Sequence, residues 1–316
     1  MYTHEYTPGS TQNIASGLAD KVFQTRILIP FIADFLKPCT SILSFLFDWL
    51  VPYPINFDVI LQLINIVFLT SLIISTPILL KMLGCKVSNW SAMAVLIPLS
   101  WNYIVINGLI DGAGLYYSYD IPSLAFYVIG LIFFIKGRWF WFYLIFILAN
   151  LNRESACFIS LTGFFLQFNI CSNVKLIIRT NKILIYHIIV QAILWIIIRS
   201  YLCWVFRDNP GIFFEEPHSM MEFLWGILNG QSHWAMENAA WFLTLFAGIW
   251  IMPFIFFHKL NSYGKRLLLV GMIYLLTLYF RSNMMETRVY NELNIIIYVC
   301  TIICLTYNKE TQEKFV

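Results

Sequence analysis

The sequence predicts an all-α, polytopic membrane protein with about 9–10 transmembrane helices. Three observations carry that class. Of the 316 residues, 59% are hydrophobic and only 12% charged, against roughly 25% charged in soluble domains, and the mean hydropathy is +0.73. Several apolar runs approach the ~20 residues that carry a helix across a ~30 Å hydrocarbon core. Strict period-2 alternation is absent, which argues against a membrane barrel. The formal net charge of +3 is spread over several loops instead of one basic arm. Anionic lipid headgroups therefore suit it as partners better than nucleic acid, and no nucleic-acid motif is present.

Taken in order, residues 1–26 are polar and lack the basic start, apolar core and small-residue site of a secretory signal. Segment 27–51 admits two placements. A spanning helix would put Asp34 and Lys37 near the bilayer centre, at roughly 2.5–3.5 kcal/mol each, with Pro30 and Pro38 as breakers. A position along the outer interface avoids both costs, so 1–56 is read as an external or interfacial segment that holds, at most, one span. Residues 57–308 form the transmembrane domain, with spans near 57–80, 92–110, 120–136, 183–202, 239–257, 267–280 and 293–307 and a short pair at 139–151 and 155–170. The polar stretch of about 203–238 is an external loop, and 309–316 a cytoplasmic tail. No internal repeat or low-complexity tract divides the chain, so one membrane domain is expected.

Orientation follows from the basic residues in alternate short loops. Every Lys after residue 57 falls on one face, with Lys81, Lys136, Lys182 and Lys265 among them, and that face is cytoplasmic. The other face holds Arg but no Lys, together with nearly all the acids from Asp58 to Glu292. The positive-inside tendency does not itself place acids, so this asymmetry favours an external functional face; loop solubility is the plainer account.

Helix 139–151 rises only about 20 Å, well short of the ~30 Å core, so the turn Asn152-Arg153-Glu154 is expected below the outer surface. Ionisable groups there are costly and face a water-filled cavity or each other. The plainer alternative is a local Arg–Glu pair capping the following helix, with Glu154 at its positive end. A second constellation, Arg281, Glu286, Arg288, Tyr290 and Glu292, precedes the last span. Arg suits phosphate because its planar fork donates two parallel hydrogen bonds, although exposed ion pairs in a solvated loop would look the same. A third is Asp111 and Asp120. Asp120 before Ile121-Pro122 also reads as a helix N-cap, and Asp111-Gly112 as a turn. No metal is expected: the seven cysteines form no ligand-spaced cluster, and His218 with Glu222 lacks a second histidine at the right spacing.

The segments QTRILIPFIADFL (24–36), YDIPSLAFYVIGL (119–131), LNRESACF (151–158) and ETRVYNEL (286–293) resemble the GT-C superfamily of membrane glycosyltransferases, including bacterial members that use polyprenyl-phosphate sugars. The resemblance covers most of the chain. It implies an external cavity, interfacial helices in the first external loop and a transmembrane helix ahead of residue 1. It also implies an active face on the periplasmic or extracellular side of a bacterial inner membrane. The implied reaction transfers a sugar, with inversion, from a polyprenyl-phosphate donor to a glycan or lipid acceptor, with no other cofactor. An acid serves as base, for which Glu154, Asp111 and Asp120 are candidates. Arg153, Arg288, Arg26 and Arg281 would hold the lipid phosphate, and Asn152, Glu286 and Tyr290 would complete the cavity. The chain departs from the pattern in offering His4-Glu5 and a lone Asp20, not an acidic pair, in its first segment. A transporter or flippase for a lipid-linked or anionic solute would use the same submerged Arg and Glu. It would often show an inverted repeat, which the sequence does not.

Overall fold

The computed structural model describes residues 7–40, 57–88, 93–110, 117–168, 174–213, 243–281 and 287–307, with backbone alone at 107–110, 174–175, 281 and 287–288. Every element among these residues is helical.

Three short helices, α1 (Thr11–Ala15), α2 (Lys21–Gln24) and α3 (Leu28–Leu36), fold the N-terminal segment. The Ser10 hydroxyl caps α1 by accepting from the Asn13 N–H at 3.3 Å. Buried Gln24 stitches the segment together, accepting from Ala19 N–H at 2.9 Å and donating to Ile14 O at 2.8 Å. Helix α3 rises about 13 Å and ends at Leu36, with a turn at Lys37-Pro38; residues 41–56 lie outside the described residues. The apolar sides of Ile14, Phe23 and Ile29 pack on Ile60, Leu61, Tyr117 and Tyr119, seating the segment on one end of the helical bundle.

The bundle begins with α4 (Phe57–Met82) and α5 (Leu96–Ser100), which continues as a π-helix over Trp101–Ile110. It goes on with α6 (Asp120–Ile135), α7 (Trp139–Asn152), α8 (Cys157–Gln167), α9 (Val174–Thr180), α10 (Lys182–Val205), α11 (Met252–Ile255), α12 (Ser262–Arg281) and α13 (Asn291–Leu305). Three helices are long and apolar enough to cross a membrane: Phe57–Met82, Lys182–Val205 and Ser262–Phe280. The other apolar helices run 10–17 residues.

Helix α6 is the hub. Leu124, Phe126, Tyr127, Leu131 and Phe134 are all buried, because α4, α7, α8 and α13 surround it. Glycines permit the closest approach: a Cβ on Gly163 of α8 would stand 2.5 Å from the Phe134 ring, and one on Gly130 of α6 would stand 2.8 Å from Ile159. Small residues at such crossings let helix backbones meet. Helix α10 is the opposite case. Only 17% of its most apolar window is buried, leaving Ile183, Ile189, Ile193 and Ile197 outward.

Two expected spans differ from the structure. The run 92–110 is a short α-helix that widens into a π-helix. The run 239–257 is not one helix in its described part. Phe246, Ala247 and Gly248 adopt left-handed φ of 58°, 56° and 72°, which splits 3-10 turns from α11. Left-handed conformation costs roughly 1–2 kcal/mol for a residue with a Cβ. The Phe246 N–H freed by the break donates to Asn102 Oδ1 at 2.8 Å, which offsets part of that cost.

Candidate functional site

The ionisable residues gather at the end of the bundle where the N-terminal segment sits. Five chain breaks meet there: the Thr25-Arg26 turn, the starts of α6, α8 and α13, and the end of α7. Chemistry explains why α7 stops. Arg153 is fully extended (φ −158°, ψ 146°), and a single 3-10 turn, Glu154–Ala156, leads into α8. Asn152, completely buried, donates to Tyr119 O at 2.8 Å and ties this turn to the start of α6.

The charged side chains pair over long separations. Arg26 grips Glu154 with two hydrogen bonds, Nη2 to Oε1 at 2.7 Å and Nε to Oε2 at 3.2 Å, and its Nη1 donates to the Tyr119 hydroxyl at 2.8 Å. Arg153 Nη1 donates to Asp120 Oδ1 at 3.1 Å, and both side chains are buried. These partners correct the two plainer readings of the sequence. Glu154 lies in the first turn of the 3-10 helix and binds an arginine 128 residues away, not its neighbour Arg153; Asp120 is the first residue of α6, whose N-cap is Tyr119, and binds an arginine 33 residues away. A carboxylate facing an arginine fork gains more from that charge-assisted bond than from a neutral N–H. Burial acts to raise the Glu154 carboxyl, but the guanidiniums of Arg26 and Arg199 outweigh it and hold the group well below the usual carboxylate range.

Glu292, on the first turn of α13, has a different setting. It is buried, and its oxygens accept from hydroxyls: Ser155 Oγ to Oε1, and Tyr274 OH to Oε2 at 2.5 Å. Nearby, Asn291 accepts from the Tyr103 hydroxyl at 2.7 Å and donates to Asp120 O at 3.4 Å, joining α13 to α6.

Sequence reasoning overlooked Arg199. It lies on α10 in the run Ile197-Ile198-Arg199-Ser200, and its bonds go to backbone carbonyls, Thr25 O at 3.3 Å from Nη1 and Asn150 O from Nη2. Its Nε has no partner, and among the described residues no carboxylate stands at salt-bridge distance. One turn earlier, the Trp195 indole donates to Glu154 O at 3.0 Å.

These groups border a cavity of about 920 Å³. One end carries Arg26, Arg153, Glu154, Ser155, Arg199 and Tyr274. Most of the rest is apolar, walled by Phe158, Leu161 and Phe164 of α8, Ile188, Ala192 and Ile196 of α10, and Ile273 and Leu278 of α12, with Ser160, Gln191 and Thr277 as polar exceptions. Along α10 the lining runs from Ile188 to Cys203, about 22 Å of helix rise. The glutamate's side chain is 44% accessible, and that surface is on the cavity.

The structure therefore brings Arg26, Arg153 and Glu154 to one cavity and puts Asp120 and Asn152 immediately behind it. Tyr290 does not join them; it is buried in the core edge-on to Phe246, with ring centroids 6.4 Å apart, and does not line the cavity. Asp111 and Glu286 lie outside the described residues, as do the side chains of Arg281 and Arg288. Among the described residues no group of His, Cys, Asp and Glu could hold a metal ion. Comparison with protein-family models, curated proteins and solved structures gives no match for this chain.

Proposed function

We propose that this protein is a multi-pass membrane glycosyltransferase that moves a sugar from a polyprenyl-phosphate donor to a glycan or lipid acceptor at the external face. One observation carries the reading: a buried arginine, Arg199, with no carboxylate at salt-bridge distance among the described residues, lines a cavity whose other walls are mostly apolar. A buried guanidinium with neutral partners is expensive unless an anion completes it. A ligand with a phosphate head and an apolar chain satisfies both ends of the cavity at once. The two closed pairs, Arg26–Glu154 and Arg153–Asp120, then shape the pocket, while Arg199 meets the charge that develops on the departing phosphate. Lipid covers the outward isoleucines of α10, and the shorter apolar helices complete the membrane domain. The sugar chemistry itself rests on the resemblance to GT-C enzymes.

The test uses purified protein in nanodiscs with a polyprenyl phosphate and its glycosylated form. Wild type binds the lipid phosphate and releases it from the donor. Arg199→Gln, folded, loses about 10²–10³-fold in turnover, as for removal of one donor to a developing anion. Unchanged binding and turnover in Arg199→Gln would overturn the reading.

A further inference from the structure

Tyr274 has one hydroxyl proton and two acceptors: Val289 O at 2.8 Å and Glu292 Oε2 at 2.5 Å. A phenol donates only once. With Glu292 ionised, Tyr274 donates to the carboxylate. With Glu292 protonated on Oε2, the acid donates to Tyr274, and Tyr274 turns its proton to Val289 O. Either way, each of these groups keeps a partner. The hydrogen-bond partners of Glu292 can thus be kept when the carboxyl takes up a proton, whereas Glu154 is gripped by the Arg26 fork and Asp120 is bound to Arg153.

Glu292 does not line the cavity, whereas Ser155 and Tyr274 do. The hydroxyl of Ser155, donating to Glu292 Oε1, is therefore a path from cavity to carboxyl. We propose that Ser155 and Glu292 form the proton-accepting relay of this site, with Ser155 Oγ contacting the acceptor hydroxyl and Glu292 acting through it.

The assignment rests on the transferase reading above. As the acceptor oxygen bonds to the anomeric carbon, the carbon–oxygen bond to phosphate breaks and its electron pair leaves on the phosphate beside Arg199. The acceptor's proton passes to Ser155 Oγ while the serine's own proton passes to Glu292. Charge stays local, because the relay takes up the proton as the phosphate takes up the electron pair.

The experiment follows release of polyprenyl phosphate from its glycosylated form, with water as the acceptor, across pH, and measures binding of free polyprenyl phosphate in parallel. Glu292→Gln is expected to bind the lipid phosphate as wild type does, keep KM and lose about 10²–10⁴-fold in kcat. Its remaining rate should lose the acid limb of the wild-type pH profile. Ser155→Ala should reproduce that loss and Ser155→Thr, which restores a hydroxyl, should recover most of it. A Glu292→Gln protein that turns over with the wild-type pH profile overturns the relay and leaves the transferase intact. Equal loss of lipid-phosphate binding and turnover in both Glu292→Gln and Ser155→Ala assigns the pair a structural role and also overturns it. Wild-type protein that neither binds polyprenyl phosphate nor releases it overturns the transferase reading and the relay with it.

Discussion

Replacing Asp120 by alanine isolates the energetics of the buried pair that joins α6 to the turn after α7. Its side chain is 1% exposed and that of Arg153 6%, with 3.1 Å between the bonded atoms. Two charges about 4 Å apart attract by about 4 kcal/mol at an effective dielectric of 20, and removal of one partner from a buried pair costs about 3–5 kcal/mol. Asp120→Ala should therefore lose about 3–5 kcal/mol, because Arg153 stays buried without its carboxylate. Arg153→Met should lose a similar amount. The double variant removes both charges of the pair and should recover to within about 1–2 kcal/mol of wild type. Equilibrium unfolding in mixed micelles titrated with sodium dodecyl sulfate gives all four corners of the cycle. A loss under about 1 kcal/mol in Asp120→Ala, or strictly additive losses in the double variant, would refute the claim that this pair holds the turn in place.

Gly163→Ala should cost about 1–3 kcal/mol in the same assay, since its Cβ would meet a fully buried Phe134 ring at 2.5 Å; an unchanged midpoint would mean α6 and α8 can move apart freely. Glu154 gives a pH dependence of known sign. Its folded-state carboxyl is held below its ordinary value, so its stabilisation is complete above the unfolded pKa of about 4.3 and is lost as pH falls through the lower folded value. Wild type should therefore weaken below about pH 4 more steeply than Glu154→Gln, and parallel acid unfolding curves would contradict the assignment. Orientation is checked by single cysteines in a cysteine-free background. From the placement of Lys and Arg, Ile178→Cys and Ser262→Cys should be shielded from an impermeant thiol reagent in intact cells, and labelling at either would refute that face; from the cost of submerging Asp34 and Lys37, Ser10→Cys should be labelled, and its protection would make 27–51 a span.

Much of the helical layout was legible because apolar runs and their breakers are local. Phe57–Met82, Asp120–Ile135, Trp139–Asn152 and Asn291–Leu305 follow the sequence reading closely. The breaks were harder to see. Gly248 marks the interruption of the 239–257 run, but the left-handed turn at Phe246 and Ala247 depends on a hydrogen bond to Asn102, 144 residues earlier, that no local pattern announces. The same holds in the site. The types Arg26, Arg153, Glu154 and Asp120 stood out because charge in an apolar chain is costly, yet who pairs with whom is a tertiary fact. Arg199 was visible and passed over. A lone guanidinium among Ile197, Ile198 and Leu202 is the kind of group that marks a site within a membrane, but a tally of loop charges counts it only as an external residue.

The six charged groups of this site divide by the kind of partner each holds. Arg26 with Glu154 and Arg153 with Asp120 form closed pairs, in which each charge is compensated by the other. Arg199 and Glu292 stand on different helices, and each is held by neutral atoms, backbone carbonyls for the one and hydroxyls for the other. Compensated charges can serve as scaffold, since opening them mainly costs stability. Arg199 and Glu292 hydrogen-bond to neutral atoms only, with opposite charges near but not bonded to them (Glu154 for Arg199, Arg153 for Glu292), and are costlier to keep, because apolar residues of similar volume would fill α10 and α13 more cheaply. The division separates two sets of variants. Loss of Asp120 or Arg26 should appear first as unfolding. Loss of Arg199 or Glu292 should leave a folded protein that fails to hold the anion or to move the proton.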